Sequence, residues 1–176
     1  MNPLRLVQIV YGDGAGKTTM ALGKAVRTHG SGLKVAVIQF MKSGTAWLVE
    51  GKPIISEIVS LKALEIEVYS YGREEFVNKP TPLDVELAAK AFKKAVELEP
   101  IVDVLVLDEL LNAVSFDLIT VERVIEFMEK QGDTEFVITG RLLPVEIREK
   151  ADQVTKVLSE VHPLEKGIKA RKGFEY

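Results

Sequence analysis

The chain has 176 residues, 47% of them apolar, a formal net charge of −3 and no cysteine. That length and composition suit one domain with a sizeable buried core, while the charge offers no global field for nucleic acid and the lack of thiols excludes disulfides and thiolate metal sites. No apolar run is long enough to predict a membrane span. The opening "MNPLRLVQIVYG" leads from strand-like residues directly into glycines, without a signal-peptide pattern, so a cytoplasmic location is expected.

In chain order, the apolar run Leu4 to Val10 predicts a buried strand ahead of a glycine turn. Lys17 to Thr28 reads as a helix closed by Gly30 and Gly32. "LKVAVIQF", Leu33 to Phe40, is a second buried strand, and Ile54 to Leu64 has helical spacing. "EIEVYS", Glu65 to Ser70, alternates as a third strand. Beyond Pro80 and Pro82, Leu83 to Leu98 is a long amphipathic helix. "IVDVLVLDE" is the most strand-like run, followed by a helix over Thr120 to Lys130 and a strand over Glu135 to Gly140. A short helix begun by proline spans Pro144 to Ala151, and Gln153 to Val161 is the last strand before the tail "HPLEKGIKARKGFEY". His29 is assigned to a helix-terminal turn, His162 to the turn that opens the tail, and the lone Trp47 to a surface element.

Strands alternate with helices, and strand runs without polar alternation imply burial on both faces. The expected fold is therefore α/β, with a mainly parallel central sheet flanked by helices. Ligands of such sheets bind beyond the carboxyl ends of the strands, and every glycine-rich or polar motif of this chain falls at such an end.

"YGDGAGKTT", Tyr11 to Thr19, is nearly a phosphate-binding loop. The usual pattern is G-x-x-x-x-G-K-[ST], and Tyr11 stands where its first glycine would be. Gly12, Gly14 and Gly16 remove side chains where backbone amides converge on phosphate. Lys17 brings a point charge, Thr18 a hydroxyl for Mg²⁺, and the helix start its positive end. "VLVLDEL" then places Asp108 and Glu109 at the end of the strongest strand, where a carboxylate can hold Mg²⁺ directly or through water. In an ATPase Glu109 would activate water; in a transferase it would serve the metal. Arg141 in "TGR" is suited either to phosphate charge or to a surface ion pair. Gln39 and Lys42 either face the same cleft or are ordinary loop residues.

Taken together, "YGDGAGKTT", "VAVIQFMKSG", "VLVLDEL", "VITGR", "ADQVTKV" and "HPLEKGIKARKGFEY" resemble, in order and spacing, the ATP:corrinoid adenosyltransferases of the bacterial and archaeal P-loop type. The tail is the most discriminating piece, and a non-glycine residue at the position of Tyr11 is common in that family. The resemblance implies a RecA-like P-loop NTPase architecture and transfer of the 5′-deoxyadenosyl group of ATP to the cobalt of a reduced corrinoid, such as cobalamin, with triphosphate released. Cobalt(I) attacks the ribose C5′, so no water needs activating. In the family the nucleotide lies reversed in the loop, which exposes C5′.

The same resemblance assigns Gly12, Asp13, Gly14, Ala15, Gly16, Lys17, Thr18 and Thr19 to the nucleotide, with Gln39 and Arg141 beside it. Lys17 and Glu109 carry the catalytic assignments, and Thr18 and Glu109 serve Mg²⁺, with Asp108 as an alternative carboxylate. The corrinoid would sit between the Gln39–Phe40 segment and the stretch from Tyr69 to Lys79, where aromatic packing removes its lower axial ligand. This chain departs from the family twice: Ala15 stands where lysine is frequent, and "YGREEFVN" replaces a G-F-x-W stretch, with Phe76, Tyr71 or Tyr69 as substitute aromatics. The expected organisation is one nucleotide-binding domain over 1–176, its tail (162–176) ordered near the site. Expected partners are ATP, the corrinoid, a flavoprotein or other reductase, and a second copy in a homodimer, with no nucleic acid and no membrane. The competing readings are a P-loop ATPase or small-molecule kinase with Glu109 as base, and a nucleotide or corrinoid carrier without turnover.

Overall fold

The computed structural model describes residues 5–43, 48–49, 52–53, 56–74, 77–169 and 171. Its elements in order are β1 (Val7–Tyr11), α1 (Lys17–Gly30), β2 (Val35–Phe40), the short β3 (Leu48–Val49) and β4 (Lys52–Pro53), α2 (Ser56–Ala63), β5 (Glu67–Tyr71) and α3 (Pro82–Leu98). There follow β6 (Val104–Asp108), α4 (Leu110–Ser115), α5 (Val121–Glu129), β7 (Glu135–Gly140), α6 (Val145–Arg148) and β8 (Gln153–Lys156), with 3-10 turns at Glu99–Ile101 and Pro163–Lys166.

Six strands form one sheet in the order β5-β2-β6-β7-β1-β8, and every pairing in it is parallel. Of the four inner strands, β2, β6 and β7 are buried at every residue, as their largely apolar runs predict for strands covered on both faces. Alternate side chains serve opposite layers. Val35 and Val37 of β2, Val104 and Val106 of β6 and Val137 of β7 pack with Ala21, Leu22 and Ala25 of α1 and Leu61 of α2. Ala36, Ile38, Phe40, Leu105, Leu107, Phe136 and Ile138 face the other way, against α3, α4 and α5. On that side Phe127 stacks on Phe136 with ring centroids 4.9 Å apart, and Phe92 meets Phe127 edge-on at 5.3 Å. β5 and β8 form the half-exposed edges.

Local chemistry sets the ends of the elements. Thr81 and Asp84 form a capping box at the start of α3, with Pro82 in the first turn. Asp84 is buried and also pairs with Arg73 at 3.2 Å, tying the segment before α3 to its cap. Thr120 caps α5 by accepting from the Arg123 amide at 3.3 Å. β8 is shorter than the expected Gln153 to Val161, because past Lys156 the chain lies against the glycine loop: the Val157 amide donates to Tyr11 O at 2.7 Å, and Val157 O accepts from the Gly14 amide at 3.1 Å. α6 covers only Val145–Arg148, with Pro144 as its cap. α4 is an element that the sequence reading did not contain. The apolar run of β6 continues into Leu110 and Leu111, and only a left-handed Glu109 (φ 64°) breaks strand from helix. His29 lies in the last turn of α1, and His162 precedes the second 3-10 turn, as expected. Trp47 and Phe76 lie outside the described residues.

Candidate active site

Parallel register brings the polar motifs to one edge of the sheet. Tyr11 pairs with Gly140, and Gln39 with Asp108, so the ends of β1, β7, β6 and β2 lie side by side. The loop from Gly12 to Gly16 leaves β1 and delivers Lys17 as the first residue of α1. The first amides of a helix have no partner inside it, so this end presents donors and a positive dipole to an anion. Gly16 sits at φ 92° in open space, the left-handed conformation that starts the helix. The other two loop glycines answer to the protein itself. A Cβ on Gly12 would fall inside 3.0 Å of Val157 O, and one on Gly14 would lie 2.8 Å from the main chain of Leu158. Their missing side chains admit the chain just past β8, at Val157 and Leu158, a demand the loop motif alone does not reveal.

Asp108 is the centre of the site. It is fully buried, and both carboxylate oxygens are engaged. Oδ1 accepts from Thr18 Oγ1 at 2.9 Å and from Thr139 Oγ1 at 2.7 Å. Oδ2 accepts from Lys42 Nζ at 2.7 Å and from Gln39 Nε2 at 3.4 Å. Burial alone would raise the Asp108 carboxyl, but the Lys42 ammonium and the two hydroxyls outweigh it and hold the group below its ordinary range. Lys42 is desolvated too, yet Asp108 and then Glu109 carry it above the usual lysine value. The pair is therefore ionised across the neutral range. Its side chains are 24% and 0% exposed; stripping one partner from so covered a pair costs about 3–5 kcal/mol, because the other charge stays behind.

Glu109 is raised from its ordinary value, first by burial and then by repulsion from Asp108. Its left-handed backbone is pinned by its own amide, which donates to Thr139 Oγ1 at 2.9 Å. Its Oε2 accepts from Asn112 Nδ2, and Asn112 Oδ1 accepts from the Arg141 amide at 2.7 Å. Asn112 thus links α4 to the end of β7. Lys17 is lowered by burial, with Arg141 adding to the effect and Glu109 opposing it. Its ammonium bridges back to Gly14 O at 2.7 Å, poised across the loop mouth.

Each sequence-assigned residue has a definite place. Lys17, Thr18, Asp108, Glu109 and the loop meet at one edge, and Arg141 is exposed beside them. Asp13, Ala15 and Thr19 are exposed on the loop and first helical turn. Gln39 lies fully buried beneath the cleft, spending its amide on Asp108 and accepting from Ser70 Oγ at 2.8 Å. Three contributors lacked an assignment: Thr139, Asn112 and Ser70. Thr139 carried a readable signal, a hydroxyl at the carboxyl end of a strand whose preceding run, Phe136 to Ile138, is apolar. Asn112 carried none, since its helix was not anticipated.

Among the described residues no group of three or more His, Cys, Asp and Glu side chains is arranged to hold a metal. A divalent ion here would rest on the Thr18 hydroxyl, the Asp108 or Glu109 carboxylate and the phosphates themselves, an oxygen set suited to Mg²⁺. The fit has a direct sign: a cation, the Lys42 ammonium, already lies 3.3 Å from Thr18 Oγ1 and 2.7 Å from Asp108 Oδ2. On the β5 edge beside β2, Tyr69 and Tyr71 are half-buried against the α3 layer. Tyr69 donates to Glu67, which pushes its hydroxyl up to about 12, and Lys94 sits 4.6 Å from its ring centroid.

Comparison with known proteins bears on what this edge binds. A family model described as "ATP:corrinoid adenosyltransferase BtuR/CobO/CobP" matches residues 4–176. The corrinoid adenosyltransferase CobA of Salmonella typhimurium is 31% identical over 97% of this chain and 85% of its own length. Corrinoid adenosyltransferases of a Sinorhizobium species and of Pseudomonas aeruginosa are 33% and 32% identical, over 97% and 94% of this chain and 80% of each relative. With a family match along nearly its whole length and the loop, carboxylates and parallel sheet in register, this chain belongs to the ATP:corrinoid adenosyltransferase family.

Proposed function

We propose that this protein transfers the 5′-deoxyadenosyl group of ATP to the cobalt of a reduced corrinoid at the carboxyl edge of β1, β6 and β7. The observation that carries the reading is the family match over residues 4–176, laid on a chain whose phosphate loop and buried carboxylate meet there. The cobalt(I) electron pair of the substrate attacks the ribose C5′ and becomes the cobalt–carbon bond, the C5′–O bond breaks, and the triphosphate leaves with the electrons of that bond. The protein's work is to position C5′ and to stabilise charge on the leaving group.

The parts of the site suit this division. The loop amides and Lys17 meet the phosphates; moving Lys17 Nζ from Gly14 O to a phosphate oxygen exchanges a neutral acceptor for a charged one. Thr18 and Asp108, with Glu109 beside them, would hold Mg²⁺, which would supply positive charge to neutralise the triphosphate. Thr139, Gln39 and Ser70 fix the Asp108 carboxylate, and Asn112 fixes Glu109. Gln39 acts through Asp108, and Arg141 lies where it can meet the nucleotide from the β7 side. The corrinoid takes the side of β2 and β5, over Phe40, Tyr69 and Tyr71. The chain works as one domain, with its tail beside the loop; the contact of residues 157–158 with Gly12 and Gly14 brings the chain to the loop just before the tail begins. A homodimer in the cytoplasm, supplied with corrinoid whose cobalt is reduced by a flavoprotein or similar reductase, completes the reading. No helix among the described residues is long and apolar enough to cross a membrane.

The test is direct. Protein, Mg·ATP and chemically reduced cobalamin should yield the light-sensitive spectrum of an alkylated corrinoid together with triphosphate. Orthophosphate formed without corrinoid, and no alkylated product, would instead identify an ATPase with Glu109 as base.

A further inference from the structure

Lys42 is placed with a care that a loop lysine does not require. The residue before it, Met41, adopts a left-handed backbone at φ 57°, which turns the chain sharply at the end of β2. Gly72, just past β5, lies so close that a Cβ there would fall inside 3.0 Å of the main chain of Met41 and Lys42. Turn and glycine together direct the side chain to the sheet edge. Its ammonium then sits 2.7 Å from Asp108 Oδ2 and 3.3 Å from Thr18 Oγ1. Those are two of the oxygens that suit a divalent ion, and two cations cannot share them: at such separations their repulsion is large even at surface-like dielectric.

We propose that Lys42 is a built-in counter-cation that fills the metal position of the nucleotide-free enzyme and yields it only when Mg²⁺ arrives. The proposal rests on the reading of Thr18 and Asp108 as the metal's cradle. The ammonium keeps the fully buried Asp108 neutralised and correctly oriented while the site is empty. It also sets a threshold, because the metal must displace a cation already in place. Free Mg²⁺ then binds weakly, whereas Mg²⁺ arriving with a triphosphate brings anionic ligands of its own. Lys42 is in this sense a positioning residue whose effect is on metal affinity, and its replacement is distinguishable from loss of a phosphate contact.

The experiment is a Mn²⁺ titration of the nucleotide-free protein by electron paramagnetic resonance, on the wild type, Lys42→Met, Lys42→Arg and Asp108→Asn. Lys42→Met should tighten Mn²⁺ binding on the order of tenfold, since the competing charge is gone. Lys42→Arg should keep binding weak, and Asp108→Asn should abolish it. Mn²⁺ affinity no tighter in Lys42→Met than in the wild type overturns the proposal, as does retention of the Mn²⁺ site in Asp108→Asn. Should Lys42→Met fail to fold, the wild type carries the test. Its Lys42 side-chain ammonium resonance, assigned by its loss in Lys42→Arg, should shift on adding Mg²⁺. An unmoved resonance at saturating Mg²⁺ refutes displacement. None of these readouts needs corrinoid turnover, so a protein that fails to alkylate cobalamin yet shows the Mn²⁺ difference refutes the proposed function and leaves this inference standing.

Discussion

Two glycines of one loop should fail for different reasons when each is changed to alanine. At Gly12 the new methyl group would press on the main-chain carbonyl of Val157, and the backbone sits at φ 122°, a conformation essentially reserved for glycine. Overpacking costs about 1–3 kcal/mol, and a left-sided backbone for an L-residue about 1–2 kcal/mol more. Backbone facing backbone cannot relax by a rotamer change, so Gly12→Ala should fall toward the upper part of the combined range of about 2–5 kcal/mol. For a chain of this size that lowers Tm by roughly 4–20 °C. At Gly16 a methyl group meets nothing within 4 Å, and only φ 92° is unfavourable, so the loss should be about 1–2 kcal/mol. Gly16→Ala should weaken ATP binding out of proportion to that small loss, because its Cβ stands at the helix entrance where phosphate approaches. Urea unfolding of both variants, with ATP binding by calorimetry, separates the two effects. Equal stability losses would refute the assignment of Gly12 to the contact with Val157.

Thr139→Val removes a hydroxyl that donates to Asp108 and accepts from the Glu109 amide. Two buried polar groups are left short of a partner, and the loss should be about 2–3 kcal/mol in chemical unfolding. Glu109→Gln should be more stable than the wild type at pH 7–8. A carboxyl raised by burial contributes fully below its unfolded value, near 4.5, and that contribution is lost as pH rises through the higher folded value. The advantage of the glutamine should therefore vanish near pH 4; a pH-independent Tm difference would refute a raised Glu109. Conversely, the Asp108–Lys42 pair has its carboxyl lowered and its ammonium raised. Its contribution should hold from above the unfolded aspartate value of 3.8 to below the unfolded lysine value of 10.5 and fall away outside that window. Lys17→Ala should abolish ATP-dependent alkylation of cobalamin while leaving the fold intact by circular dichroism; a retained rate would overturn the phosphate-loop assignment.

Much of this molecule was readable from one dimension. The largely apolar runs at Val35–Phe40, Val104–Asp108 and Glu135–Gly140, alternating with helical patterns, read as strands covered on both faces, and an α/β fold with a mainly parallel sheet flanked by helices followed. Because parallel strands all point their carboxyl ends the same way, Lys17, Thr18, Asp108 and Arg141 had to converge on one edge. Chain-end motifs spaced along that pattern were also enough to suggest the family, to which the chain belongs.

Other features depend on neighbours distant in sequence, and a local pattern carries no trace of them. Gly12 and Gly14 looked like space left for phosphate, yet their contact partner is the chain at 157–158, far along the sequence. Helix α4 hid inside an apolar run because a single left-handed residue, Glu109, is all that separates strand from helix. Lys42 gave two even readings until the turn at Met41 and the close approach of Gly72 were seen to aim it at Asp108. Patterning along a chain decides which face is buried and where each strand ends. Which charge neutralises which, and which glycine yields to which backbone, is settled only when separate strands come within a few ångströms of each other.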